Sequence, residues 1–180
     1  MKNILTRIGI LTILISLFAF TLLPTDQFIV SDDFSIKFKS ADPSGNFEEM
    51  SGTISYDKSN PSKSKFNLKI KVSSIDTGNG MRDKKAMTEE WFDAKKYPEI
   101  KFVSSSMTKL ESGDYKITGS LTMKGVTKKV VVPASLQDLG RKIIFKGSFK
   151  INRLDFGVGK KSDVVPSYMK IKFEVPATKK

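Results

Sequence analysis

The chain has 180 residues, a formal net charge of +12, thirteen phenylalanines, and neither cysteine nor histidine. That composition excludes disulfides, thiol chemistry and lipid attachment to a cysteine, and it removes Ser-His-Asp and Cys-His catalysis and ordinary zinc sites. It allows one domain with a self-sufficient core, because a domain of roughly 150 residues buries about 68–70% of its unfolded surface.

Residues 1–24 read as a targeting segment. Lys2 and Arg7 form a positive end, residues 8–23 carry no charge, and Asp26 is the first acid. This is the order of a secretory signal peptide, with Ala19 and Thr21 the best small pair for cleavage. The uncharged run also approaches the ~17–25 residues that span a bilayer, so an uncleaved anchor is the alternative. Either way the expected location is exported: periplasmic or secreted, or tethered at the membrane. Without Lys2 and Arg7 the charge stays near +10. A basic chain invites a nucleic-acid reading, but the lysines are scattered on alternate strand positions rather than gathered in one stripe, and export argues against nucleic acid. A solvated basic face is expected, with attraction to an anionic membrane surface or envelope polymer as its functional counterpart.

From residue 28 onward the pattern is period two, the mark of strands with one buried and one wet face. Phe34, Ile36 and Phe38 alternate with Ser35, Lys37 and Lys39 in a first strand, which residues 28–30 begin or precede. After the Pro43-Ser44-Gly45 turn, a second strand over 46–56 places Ile54 and Tyr56 on one face, with Gly52 marking a bulge or bend. Asn60-Pro61 lies in a loop. The third strand is the clearest: Phe66, Leu68, Ile70 and Val72 alternate with Asn67, Lys69, Lys71 and Ser73. Residues 73–87 then leave the pattern, with a short helix expected over 81–87.

A second, capped helix is expected next. Thr88 serves as N-cap, Glu89 and Glu90 sit in the first turn, and Lys95 and Lys96 sit in the last, all on the favourable sides of the helix dipole. Pro98 ends it and pushes Tyr97 towards an extended conformation. The fourth strand covers 100–106. The fifth covers 115–123, with Ile117 and Leu121 on its apolar face. A tight connection at Lys124-Gly125 leads to a sixth strand over 127–136. The seventh, over 142–152, carries Ile143, Phe145, Phe149 and Ile151 on one face. A long loop over 153–166 precedes the eighth, where Ile171, Phe173 and Val175 alternate with lysines.

Eight one-face-apolar strands suit an antiparallel barrel whose interior is either filled by side chains or holds one small ligand, and a sandwich is the competing architecture. The adjacent carboxylates Asp32-Asp33 and Glu89-Glu90 make no acid/base pair, since neighbours on a strand point to opposite faces. Gly157 to Ser162, GVGKKS, lacks the spacing of a phosphate loop. With no catalytic set, non-enzymatic binding of an apolar molecule is the expected role, without a cofactor or metal. Pattern alone leaves open a filled barrel acting as a structural or interaction module of the envelope through its basic outer face.

The segments FSIKF, GNFEEMSGTISYD, SSIDTGN-x-MRD, WFDAKKYPEIKF, GSLTMKGVTKKV and INRLDFGVG occur in the order seen in the YceI-like family of secreted or periplasmic bacterial proteins, which this chain resembles over most of residues 28–176. The resemblance implies an all-β, eight-stranded antiparallel lipocalin-like barrel, with a short helical insertion between strands three and four, over 25–180. It also implies an elongated apolar cavity that binds a long-chain isoprenoid or similar amphiphilic lipid, so a bound lipid is expected. The oligomeric state is left open, a homodimer included. Where the family usually has R-D-x-H-L, this chain has Arg82, Asp83, Lys84, Lys85 and Ala86, and Phe34 stands where the family often has another histidine. A different head-group preference follows if those positions meet the ligand, because a lysine suits phosphate or carboxylate.

The expected cavity lining is Ile36, Phe38, Phe47, Ile54, Tyr56, Phe66, Leu68, Ile70, Phe102, Ile117, Leu121, Phe145, Phe149 and Phe173. Trp91 and Phe92 are expected at the mouth or as a plug, and Arg82 and Lys85 as head-group contacts.

Overall fold

The alternating strands of this chain all pair antiparallel, and the sheet closes on itself. The structure, a computed structural model, describes residues 25–180; the expected signal peptide or anchor at 1–24 lies outside them. The strands are β1 (Asp26–Val30), β2 (Ser35–Lys39), β3 (Ser44–Phe47), β4 (Met50–Tyr56), β5 (Lys65–Lys71), β6 (Ile75–Asp76), β7 (Glu99–Lys109), β8 (Tyr115–Met123), β9 (Val126–Asp138), β10 (Lys142–Asn152) and β11 (Tyr168–Lys179), with one α-helix, α1 (Gly80–Ala86). Eight of them form a closed ring in the order β1-β4-β5-β7-β8-β9-β10-β11, sealed by pairing of β11 with β1. This is the expected antiparallel barrel.

Three of the eight expected strands are bent. The first is split into β1 and β2 around 31–34, the second into β3 and β4 at Glu48-Glu49, and the third into β5 and β6 at Val72–Ser74. At the last two breaks the in-out alternation slips: Glu48 and Glu49 are both exposed, and Ser74 and Ile75 are both buried. The breaks are stitched to one another, with the Lys71 N–H donating to Glu49 O (3.0 Å) and the Glu48 N–H to Ser74 O (3.0 Å). The wall therefore bends as a unit, and β2, β3 and β6 continue it past the closed ring. β11, longer than the expected 171–175, runs the whole height: its Ala177–Lys179 end pairs with β1 and its Lys170–Glu174 stretch with β2. Pro176 sits at the change-over, where its carbonyl accepts from the Ser31 N–H (2.9 Å). An antiparallel residue directs its N–H and C=O at the same neighbour, so the hydrogen that proline lacks falls in the gap between β1 and β2.

Where β6 ends, nothing pairs with the upper part of the wall, and α1 with residues 87–98 covers the opening. α1 starts at Asn79, whose Oδ1 accepts from the Met81 and Arg82 N–H groups at 3.0 and 3.3 Å, as an N-cap should. The second expected helix does not form. Residues 88–97 are consecutive turns, in which Thr88 O accepts from the Trp91 and Asp93 N–H groups, and Asp93 has φ 49°. Thr88 instead closes α1 from the far end, its hydroxyl donating to Lys85 O (2.7 Å). Trp91 and Phe92, carried on these turns, both reach the barrel interior.

The closed end holds the tightest packing. Ile54, Met107 and Ile143 are fully buried, and the Tyr56 and Phe66 rings meet Phe145 edge-on at 6.4 and 5.0 Å. Burial, and then the neighbouring Tyr115, raise the Tyr56 hydroxyl pKa. Gly147 is required in β10, since a Cβ there would clash with the Pro133 carbonyl oxygen and lie 2.7 Å from the Phe173 ring. On the rim of this end Lys58 donates to Asp138 at 2.9 Å, and that bond, followed by the Gly140 N–H, holds the Asp138 carboxyl below its ordinary value. A carboxyl depressed by folding contributes stability that is present above the ordinary carboxylate range and is lost as pH falls through its lowered folded value. In an NMR titration, Lys58→Met should move the Asp138 midpoint upward.

Candidate functional site

The barrel is not filled. Beneath α1 and the 87–98 turns lies a cavity of about 340 Å³. A second, of about 110 Å³, lies deeper, towards the closed end. Ile36, Ile70, Ile100, Leu121, Phe149 and Ile171 line both, so the two apolar cavities adjoin across a shared wall of aliphatic side chains and one phenyl ring.

Most residues expected from the alternation converge here. Ile36, Phe38, Phe47, Ile70, Trp91, Phe92, Leu121 and Phe149 line the larger cavity, together with Arg82 and Lys85. Phe66, Leu68, Phe102, Ile117, Phe145 and Phe173 line the deeper one. Ile54 and Tyr56 line neither; they are buried in the packed closed end. Ile100, Met123, Ile151 and Ile171 were readable from the same alternation and belong to the lining. Arg153, Val158, Val164 and Val165 also line the larger cavity, and as members of an aperiodic loop they carried no sequence signal.

That loop is built around Arg153, which is only 3% exposed. Asn152 caps the 3-10 turn at Arg153–Phe156, accepting from the Leu154 N–H (3.1 Å). The Arg153 guanidinium then donates to four backbone carbonyls: Nε to Pro166 O (3.1 Å), Nη1 to Val158 O (2.7 Å), and Nη2 to Lys160 O and Val165 O (2.8 Å each). No carboxylate is among its partners. Burial lowers its pKa, and the Trp91 ring, 5.1 Å from its Cζ, offers a cation–π contact in partial compensation. Gly159, at φ 68°, lets the loop cross that ring; a Cβ there would come 2.9 Å from the indole. Lys124, in the two-residue turn between β8 and β9, ties loop to cover by donating to Gly157 O (2.7 Å) and Glu90 O (3.1 Å).

Asp42, Arg82, Lys85 and Val164 are exposed and form the rim. Arg82 is bidentate to Asp42 across the mouth, at 2.9 and 3.3 Å. Lys85 is in no ion pair among the described residues. The buried Trp91 Nε1–H has no acceptor among the described residues. Such an arrangement has room for an apolar chain in its cavities, with polar donors at the mouth. Among the described residues no group of three or more His, Cys, Asp or Glu is placed to hold a metal ion.

Known proteins of similar sequence and shape share this architecture. A UPF0312 protein of Photorhabdus laumondii is 38% identical over 128 residues, 68% of this chain and 65% of that protein, so the match spans just under two thirds of the relative's length. The crystal structure of Burkholderia cenocepacia BcnA superposes with a TM-score of 0.74 at 30% identity, covering 84% of this chain and 96% of that one. A polyisoprenoid binding domain from Saccharophagus degradans, implicated in plant cell wall breakdown, has the same fold (TM-score 0.68 over 87% of this chain and 99% of that one) at 13% identity. The family model described as the YceI-like domain matches residues 20–177, and with the eight-stranded ring and its turned cover in place the chain belongs to the YceI-like family.

Proposed function

We propose that this barrel is a non-enzymatic carrier in the cell envelope that holds the hydrocarbon part of a long-chain isoprenoid or similar amphiphilic lipid, with the polar end of the lipid at the mouth. The observation that carries this reading is the pair of adjoining apolar cavities, sharing six lining residues, between the rim and the closed end. Each methylene buried there contributes about 0.8 kcal/mol, so a long chain binds firmly without a polar code. The fold shared with a polyisoprenoid binding domain supports the ligand class.

The direct test is organic extraction of protein purified from its native host, followed by mass spectrometry. A long-chain lipid near one per barrel is the expected result. A barrel that arrives empty and also fails to take up a fluorescent isoprenoid would end the proposal.

The unmatched Trp91 donor sharpens it. A buried N–H without an acceptor costs about 1–3 kcal/mol, and a lipid oxygen placed against it regains a net 0.5–1.5 kcal/mol. Trp91→Phe removes that unmatched donor but also part of the ring packed on Arg153, so the two effects oppose each other and the empty protein should stay folded. The substitution should weaken an oxygen-headed lipid roughly two- to tenfold while leaving a plain hydrocarbon of equal length unaffected, as read by competition for the same probe.

A further inference from the structure

Five lysines that lie far apart in the sequence meet on one patch of the outer wall. In register, Lys170 on β11 stands opposite Lys39 on β2 and Lys150 on β10, and Lys172 stands opposite Lys37. All five are exposed, and among the described residues none is in an ion pair. The nearest carboxylates by register do not neutralise them. Glu174, the next outward position on β11, is held by Lys146 at 2.9 Å. Asp76 is two strands beyond Lys37, across Asn46, and its Oδ1 accepts from the Gly78 N–H. Like charges directly opposed across strands destabilise a sheet, so the fold alone gains nothing from this arrangement.

The position of the patch supplies a reason for it. The inner faces of the same strands carry Ile36, Phe38, Phe149 and Ile171, which line the larger cavity. At the mouth end the patch runs into Tyr168, outward with Lys170 and 64% exposed. Val164, four positions earlier in the chain, is 74% exposed and belongs to the cavity rim. On the other side Lys39 leads into the turn whose Asp42 and Pro43 complete that rim. Cations beside an exposed aromatic and an exposed aliphatic residue, at the opening of an apolar cavity, match the chemistry of a bilayer surface: anionic headgroups first, then the headgroup–acyl boundary where tyrosine settles.

We propose that this lysine patch seats the barrel on an anionic lipid bilayer, with Tyr168 and Val164 at the interface, so that the mouth opens towards the membrane. The purpose of such docking rests on the carrier reading, but its chemistry does not, and the two are separable by experiment. Full-length protein is sedimented with vesicles of phosphatidylcholine alone or with one third phosphatidylglycerol, while isoprenoid uptake from detergent is measured in parallel. The expected result is binding to the anionic vesicles only, abolished by high salt, since exposed charges are screened beyond about 10 Å at 0.1 M.

Each lysine held near such a surface raises binding about fivefold, so the triple change Lys37→Glu, Lys170→Glu, Lys172→Glu should lower vesicle binding by at least about a hundredfold with uptake from detergent unchanged. The control Lys109→Glu, Lys116→Glu, Lys128→Glu alters net charge equally on the β7–β9 wall and should bind nearly as the unchanged protein does. Equal losses in both variants, no binding to anionic vesicles, or binding to DNA or heparin in preference to vesicles would each overturn the docking proposal. Loss of uptake with intact docking would instead count against the carrier.

Discussion

Ile70→Trp should close the deeper cavity to lipid and leave the barrel folded. Ile70 lines both cavities and stands in register between Met50 on β4 and Ile100 on β7. It is half-buried, because part of its side chain faces empty space rather than packed atoms. An indole there enters that space. The strain of overpacking a filled core, about 1–3 kcal/mol, therefore applies only in part, and the melting temperature should move by a few degrees at most. The lipid loses the deeper segment. If four methylenes are displaced, about 3 kcal/mol goes, or roughly two-hundredfold in affinity. Displacement of a fluorescent isoprenoid reads the affinity, and mass spectrometry of the purified variant reads the occupancy. Unchanged affinity in a folded variant would place the lipid elsewhere than in these cavities.

The second large effect is on stability. Arg153→Met should cost about 3 kcal/mol or more, because methionine replaces only the stem of the arginine and leaves four carbonyls without their donor in a buried turn. For a domain of this size the loss corresponds to roughly 10 °C in melting temperature. Amide exchange should rise over 158–166, and the mouth should loosen with it, since Val158, Val164 and Val165 line the cavity. Arg153→Lys separates charge from shape. A lysine keeps the cation but is a compact ammonium with three donors, whereas arginine presents a planar five-donor fork. Lysine should therefore rescue little. Full rescue by lysine would show that a positive charge beside Trp91, and not the spread of donors, is what the loop requires.

Alternation is a local property, and what is local was legible. Away from the breaks at Glu48-Glu49 and Val72–Ser74, the faces of the strands followed from residues two apart, and so did most of the lining: Phe66, Leu68 and Ile70 on one strand, Phe145 and Phe149 on another. The same signal did not separate Ile54 and Tyr56, in the packed end, from Ile70, in the hollow one, because all three are apolar and inward. The difference is the volume left over after the other strands arrive. The turned cover was misread as a helix for a related reason. Thr88, Glu89 and Lys96 are well placed for one, but these local signals carry nothing about the cavity that Trp91 and Phe92 line from consecutive turns.

By itself, then, the sequence determined an all-β chain with one apolar face per strand, no nucleophile–histidine pair, and a break in the pattern between the third and fourth strands. Period and residue type are enough for that. Only the tertiary structure decided that the barrel is hollow, that Arg153 organises the mouth from a loop without periodicity, and that lysines which look scattered stand together. Lys37, Lys150 and Lys170 are separated by more than a hundred positions end to end along the chain, and antiparallel register, fixed by the closure of β11 onto β1 and β2, is what makes them neighbours.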